Sequence, residues 1–406
     1  MRSDRRKRII LAGAMTCFSI VLYSQQVQYT WQKIFGGEDI TGNRTEDLPA
    51  QVLNARDGGF IITGVSQGAD NDDGPHGMYV AKLDRVGKLL WIKYPGGENP
   101  NYHSNPNVFS NTSDGGYIYG GKKYFSIGLT KINENAEIVW DRKYELNNIN
   151  NILYVTEMKD NSIAALVYGQ GDSNAMLLKL DKNGRVISFK KISKEITGFQ
   201  SGSISYTRDG FFILTGTRFT GGYNSINTHI QDMRLMKLDG EGTVVWDRSY
   251  GGVKQDFGRY ASGTTDGGFI AAGCSSSFNN RNEWDFYIVR LDASGVRQWE
   301  KTYGGNDTNY IRSCHETPDS GYICGGTRIG KNGSQYLLMK LDSRGNRIWE
   351  KLYGIQKLNL MMNGFAIASD GGFVFVGQLE TPPAKWIDNY AVKTDDKGNT
   401  APFPSR

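Results

Sequence analysis

The sequence predicts an all-β chain folded as a seven-bladed β-propeller of four-stranded antiparallel blades, and three anchors recurring in fixed order carry that prediction. The first is a turn motif at Asp57-Gly58-Gly59, Asp114-Gly115-Gly116, Asp160-Asn161-Ser162, Asp209-Gly210, Asp266-Gly267-Gly268, Asp319-Ser320-Gly321 and Asp370-Gly371-Gly372, 46 to 57 residues apart. The second, "KLDxxG" in its best form, begins at Lys82, Lys131, Lys179, Lys237, Arg290, Lys340 and Lys393. The third is an aromatic leading a strand, as in "WEKTYGG", at Trp31, Trp91, Trp140, Phe189, Trp246, Trp299 and Trp349. A period near 50 residues, filled with short strand signals and turn residues, belongs to a propeller or a solenoid.

Each copy divides into four strands. In the fifth, strand A lies near "RYASGTT", B is "FIAAG", C is "FYIVRLD" and D is "RQWEKTY". Glycine in the AB and CD turns supplies the positive φ that a sharp reversal can require. The last copy ends without a Trp strand, whereas Trp31 to Gly37 is a D strand with no blade before it. A ring in which the N-terminal strand completes the last blade beside Tyr390 to Lys393 leaves no exposed edge, whereas an open solenoid would leave that strand unpaired. The regularly spaced aromatics then read as packing between neighbouring blades, and Phe189 at one of the same positions supports that reading.

The ends organise the rest of the chain. Arg2, Arg5, Arg6, Lys7 and Arg8 precede an apolar run from Ile9 to Leu22 and then Tyr23-Ser24-Gln25, the layout of a secretory signal peptide. The expected organisation is a signal peptide at 1–24, a single propeller domain at 25–400 and a short tail at 401–406. The apolar run is too short to span a bilayer comfortably, so no transmembrane span is expected after cleavage. Cleavage removes five positive side chains and one negative one, and the formal charge falls from +5 to about +1. A near-neutral monomer has no global field to attract nucleic acid or acidic lipid.

Cys314 and Cys324 flank the tight turn at Pro318 to Gly321. A hairpin there faces them across two strands, either as a disulfide, which export permits, or as two small unbonded core residues.

The repeats "DGGFIITG", "YLLMKLDSRGNRIWEKLYGI" and "DGGFIAAGC" resemble a large group of secreted bacterial repeat proteins with a DGGF...KLDxxGxxxWxKxYGG consensus. The cadence is also similar to kelch repeats and to quinoprotein-type propeller repeats. The resemblance covers residues 31 to about 398 and implies a propeller at the cell surface or in the periplasm. Its members serve as scaffolds, binding modules and enzymes, so it implies little about activity. Leu rather than Ala before most of the second-anchor Asp residues, and seven copies rather than eight, argue against a quinone cofactor.

Strand direction puts the AB and CD turns at one end of every blade and the BC and DA connections at the other. The second set holds nearly all the length variation, for example at 66–77, 96–107, 217–231, 275–284 and 378–386. Variable loops on a rigid scaffold are where binding usually sits, so this face is the expected site. Its candidates for stacking on sugars or anchoring a partner are Tyr102, Tyr223, Trp284 and Trp386, with Arg281 beside Trp284 and the face-sharing histidines His103 and His229. Asp70, Asp72 and Asp73 offer oxygen ligands for Ca²⁺, but "DNDDG" lacks the regular spacing and distal carboxylate of a calcium loop, so the expectation is a solvated acidic loop and no cofactor.

No HExxH, nucleophile elbow, phosphate loop or paired-cysteine metal motif is present. The expected function is an exported, non-catalytic scaffold binding a protein or glycan through the BC and DA loops. Its rival is a glycan-active hydrolase or lyase, or a quinone-dependent dehydrogenase, on the same face. An enzyme should bring two or more titratable groups with shifted pKa values together at the mouth of the central channel.

Overall fold

Strands B and C of each copy read as nearly continuous apolar runs because both of their faces are covered. Phe269–Ser275 and Asp285–Leu291 are buried at every position, whereas the D strand Arg297–Tyr303 is partly open to solvent along its length. A sheet with two apolar faces must be flanked on both sides. The computed structural model describes residues 28–35, 45–68, 77–95, 102–123, 126–146, 149–169, 174–195, 202–223, 229–281, 283–354, 357–381 and 386–402. These form twenty-eight strands in seven four-stranded antiparallel blades arranged in a ring, with no helix among the described residues. Accordingly, no helix there is long and apolar enough to cross a membrane. The signal-peptide expectation at residues 1–24 lies outside the described residues.

The ring closes as expected. Trp31–Phe35 pairs antiparallel with Trp386–Thr394, in register from Trp31 opposite Lys393 to Phe35 opposite Asn389, and so forms strand D of blade 7. Seven apolar clusters fill the seven blade junctions. The one between blades 6 and 7, for instance, joins Ile323, Tyr336 and Leu338 to Leu360, Phe373 and Phe375.

The three anchors turn out to be halves of two repeated contacts. In every blade the Lys or Arg of the second anchor pairs with the Asp of the AB turn at 3.8 Å or closer: Lys82 with Asp57, Lys131 with Asp114, Lys179 with Asp160, Lys237 with Asp209, Arg290 with Asp266, Lys340 with Asp319 and Lys393 with Asp370. The cation lies within the blade while most of the aspartates face solvent, so the pair ties strand C to the AB turn.

The second contact crosses the junction. Trp31, Trp246, Trp299 and Trp349 meet Phe60, Phe269, Tyr322 and Phe373 at 5.5 to 6.3 Å between ring centroids; each partner is the aromatic opening strand B of the next blade. The indole N–H of Trp31, Trp140, Trp246 and Trp299 donates to a CD-turn carbonyl of the next blade, at Arg85, Lys182, Ala293 and Ser343. The following tyrosine does the same, with Tyr144, Tyr250, Tyr303 and Tyr353 donating to the carbonyls of Gly184, Gly295, Gly345 and Gly398. Gly345 has φ +75, and a Cβ there would meet the Trp299 ring at 2.9 Å, so turn geometry and packing both favour glycine.

Cys314 and Cys324 stand directly opposite each other in the register of strands Thr308–Glu316 and Tyr322–Gly330, and are joined as a disulfide. Cys274 is free and buried, and burial pushes its thiol up to about 11.

Candidate functional site

The innermost strand A of each blade lines the axis of the ring. Seven residues before each AB-turn Asp the chain reads Ala50, Asn107, Leu153, Gly202, Arg259, Arg312 and Asn363. At this position the AB pairing slips in five blades, between Pro49 and Gln51, Ile152 and Tyr154, Gly258 and Tyr260, Ile311 and Ser313, and Met362 and Gly364. In blade 2, Asn107 falls within a longer irregularity between Ser104 and Phe109. A bulge leaves its extra residue outside the ladder and re-aims that side chain. Asn107, Leu153, Arg259, Arg312 and Asn363 all line one axial cavity of about 1220 Å³.

The belt is cross-braced over the axis. Arg312 Nη2 donates from blade 6 to the Ala50 carbonyl and to Asn107 Oδ1, both at 3.4 Å, and so reaches blades 1 and 2. Asn363 Nδ2 donates to the Pro49 carbonyl at 2.8 Å, and the Gln51 amide donates to the Asn107 carbonyl. Arg312 keeps contact with channel solvent although protein surrounds it. Lost hydration, with the charge of Arg259 acting in the same direction, pushes its guanidinium down to about 10.

Beside the belt, Tyr260 Oη and His315 Nδ1 share a hydrogen bond of 3.0 Å, and His315 Nε2 meets Ser313 Oγ at 3.0 Å. The imidazole also stacks on Phe365 at 5.3 Å. Burial pushes His315 down to about 4 and Tyr260 up to about 12, so both are neutral at pH 7. Tyr154 and Tyr206 continue this wall, and burial raises Tyr154 as well. At the mouth, Glu316 accepts from the Thr265 N–H at 2.7 Å, and Asp209 is held by Lys237.

The cavity runs from the belt toward the AB turns of blades 4 to 6, away from the loop face that loop length had singled out. Neither Arg281 nor Trp284 lines it. Tyr102 and His103 begin strand A of blade 2, opposite Lys123 and Lys122. Tyr223 and His229 oppose each other at the BC end of blade 4, and Trp386 opposes Thr381 in blade 7. Arg281 pairs with Asp285 at 3.4 Å. Trp284, expected as an exposed anchor, is half-buried against Phe257 at 4.8 Å, and its apolar ring packs into the junction between blades 5 and 6. The loop thus brings Arg281 and Trp284 close in sequence but commits both to local structure. Asp70, Asp72 and Asp73 lie outside the described residues. Among the described residues, no three His, Cys, Asp or Glu side chains gather as a metal group.

Arg259, Arg312, Asn107, Asn363, Tyr154, Tyr260 and His315 were not among the candidates that the sequence offered. Aligning the copies on the AB-turn Asp would have exposed the belt, because a strand facing the ring axis is an unusual place for two arginines and two asparagines.

Known proteins agree with the fold at low identity. A protein of unknown function from Dyadobacter fermentans matches with 9% identity and a TM-score of 0.53 over 90% of this chain and 98% of its own. The polysaccharide lyase Uly1 matches with 12% identity and a TM-score of 0.54 over 86% of this chain and 90% of its own. Domains 1–2 of the Drosophila Semaphorin 1b extracellular region match with 8% identity and a TM-score of 0.51 over 91% and 87%. No family model and no curated protein matches the sequence.

Proposed function

We propose that the chain is an exported, non-catalytic binding propeller that takes a glycan in its axial channel. The carrying observation is the cavity of about 1220 Å³, larger than the roughly 300–1,000 Å³ of typical small-molecule sites, with tyrosines, amides and arginines from blades 2 to 7 around it. Tyrosine rings suit the apolar faces of sugars, and amides and guanidinium groups suit their oxygens. The signal-peptide layout of residues 1–24 and the resemblance to secreted repeat proteins support export, and the Cys314–Cys324 disulfide agrees with an oxidising compartment. The channel replaces the BC and DA loop face as the principal seat of binding in this reading.

The test is a thermal-shift panel of neutral and acidic oligosaccharides on the mature protein. A ligand at 100 times its Kd adds roughly 2.7 kcal/mol, and Tyr154→Ala should weaken that response. If no oligosaccharide of either kind shifts the melting temperature, the glycan reading is wrong.

The Tyr260–His315 hydrogen bond favours a second reading, a glycan-active lyase in which these two groups move a proton; Uly1 is a polysaccharide lyase with the same architecture. Against it, burial moves His315 down and Tyr260 up, away from the neutral range in which general acids and bases work best. Growth of ultraviolet absorbance from an unsaturated sugar product, abolished by His315→Asn, would establish the lyase.

A further inference from the structure

Most of the cations that reach into the blades of the described residues are held by a carboxylate. All seven second-anchor cations have their AB-turn carboxylate, Arg234 and Arg218 share Asp247, and Arg328 holds Glu350. Arg312 faces the solvent of the axial cavity, and among the described residues it donates only to the neutral Ala50 carbonyl and the Asn107 amide oxygen, each at the long distance of 3.4 Å. Its electrostatic neighbour is Arg259, a second cation. Two like charges lining one concave channel make its potential positive, which favours an anionic ligand there.

The backbone sets up this convergence. Arg259 and Arg312 occupy the same bulge position in adjacent blades, and both line the cavity with Asn107 and Asn363 from blades 2 and 7. Guanidinium groups present planar forks of N–H donors that match the oxygens of a carboxylate or sulfate. At the mouth Asp209 is paired with Lys237, while Glu316 accepts from the Thr265 N–H.

We infer that Arg259 and Arg312 form an oxyanion-binding site, which receives the carboxylate or sulfate of an acidic sugar while the ring rests against Tyr154 and Tyr260. This inference rests on the glycan-binding reading for the sugar, but the anion site stands or falls separately.

The experiment compares the full mature protein with Arg312→Gln and Arg259→Gln by thermal shift. The probes are sodium sulfate against chloride at matched ionic strength, and galacturonate oligomers against galactose oligomers. The wild type should be stabilised by sulfate and by galacturonate oligomers more than by the neutral oligomers. Arg312→Gln should bind both anions at least tenfold more weakly. Without anions it should melt at or above the wild-type temperature, because it relieves the repulsion with Arg259. Equal sulfate responses in wild type and both variants overturn the anion site. So does an Arg312→Gln protein that melts well below wild type without anions, which would make the arginine a structural brace. Equal shifts from acidic and neutral oligomers leave glycan binding intact and remove the oxyanion site. A sulfate response without any sugar response keeps the site and removes the glycan.

Discussion

The ion pair repeated in every blade makes a lopsided prediction, worked most clearly at Lys340 and Asp319. The Lys340 side chain is 9% exposed and that of Asp319 is 61% exposed, with 2.7 Å between Nζ and Oδ1. Lys340 also donates to Thr317 Oγ1 at 2.5 Å, and Asp319 Oδ1 also accepts from the Gly321 N–H at 3.1 Å. Removing one partner of a fully buried pair costs about 3–5 kcal/mol, because the other charge is stranded away from water. Here the two charges are stranded unequally. Asp319→Asn keeps a turn acceptor but leaves the ammonium buried and unpaired, which should cost about 2–3 kcal/mol. Lys340→Met fills the same apolar path and leaves a carboxylate already in water, which should cost about 1 kcal/mol or less. The double variant should resemble Lys340→Met alone, with a coupling of about 2–3 kcal/mol in magnitude, the whole cost of Asp319→Asn. Urea unfolding of the four proteins measures all three quantities. Equal costs for the two single variants, or a larger cost for Lys340→Met, would refute the argument that the stranded lysine sets the energy.

Deleting residues 25–37 removes the strand that completes blade 7 and with it Trp31, which is 4% exposed; truncating a core Trp alone costs roughly 3–5 kcal/mol, so the whole ring should melt at a markedly lower temperature, and an unchanged melting point would sink the closure. His315 has a folded pKa near 4, below its unfolded value of about 6.5. It therefore stabilises the fold above pH 6.5 and loses that contribution as pH falls toward 4, by up to about 3 kcal/mol; His315→Asn should flatten the profile in this window, as pH-dependent melts would show. Asp114 and Asp319 are held at about 2, with burial opposed and outweighed by hydrogen bonds from Lys131 and Lys340 and from their turns; a further loss should follow as pH falls from about 4 to 2, and it should shrink in Asp114→Asn.

The architecture was legible because its anchors are small, charged or glycine residues that recur where a generic strand would not need them. Counting Asp57 to Asp370 and Trp31 to Trp349 was enough to count blades and to close the ring. The partnership of the first two anchors was not legible, since Asp319 and Lys340 lie on different strands and only the blade geometry brings them together. The axial channel was not legible for a related reason. Loop length draws attention to 217–231 and 275–284, while the cavity is built by bulges, and a bulge leaves no signature in one strand read alone. Arg259 and Arg312 look like ordinary surface arginines of an alternating strand until the copies are aligned on the turn Asp.

That alignment also explains why the axis can carry chemistry without endangering the fold. The anchors occupy the AB turn, strand C, the CD turn and strand D, where each one closes a blade or a junction. Strand A carries no anchor before its turn, and its bulged residue belongs to no ladder pair, so little in the repeat constrains which side chain sits there. The column has accordingly drifted to Ala, Asn, Leu, Gly, Arg, Arg and Asn around the ring. A closed ring multiplies this freedom by seven and points it at one volume. Drift alone would scatter charges around that column, yet the two cations fall in adjacent blades, 5 and 6, with Tyr260 and His315 from the same two strands hydrogen-bonded beside them. The grouping in blades 5 and 6, more than the presence of either arginine, is what separates a recognition site from tolerated variation, and exchanging Arg259 with Leu153 would test whether adjacency matters: anion binding should fall although the channel keeps its charge.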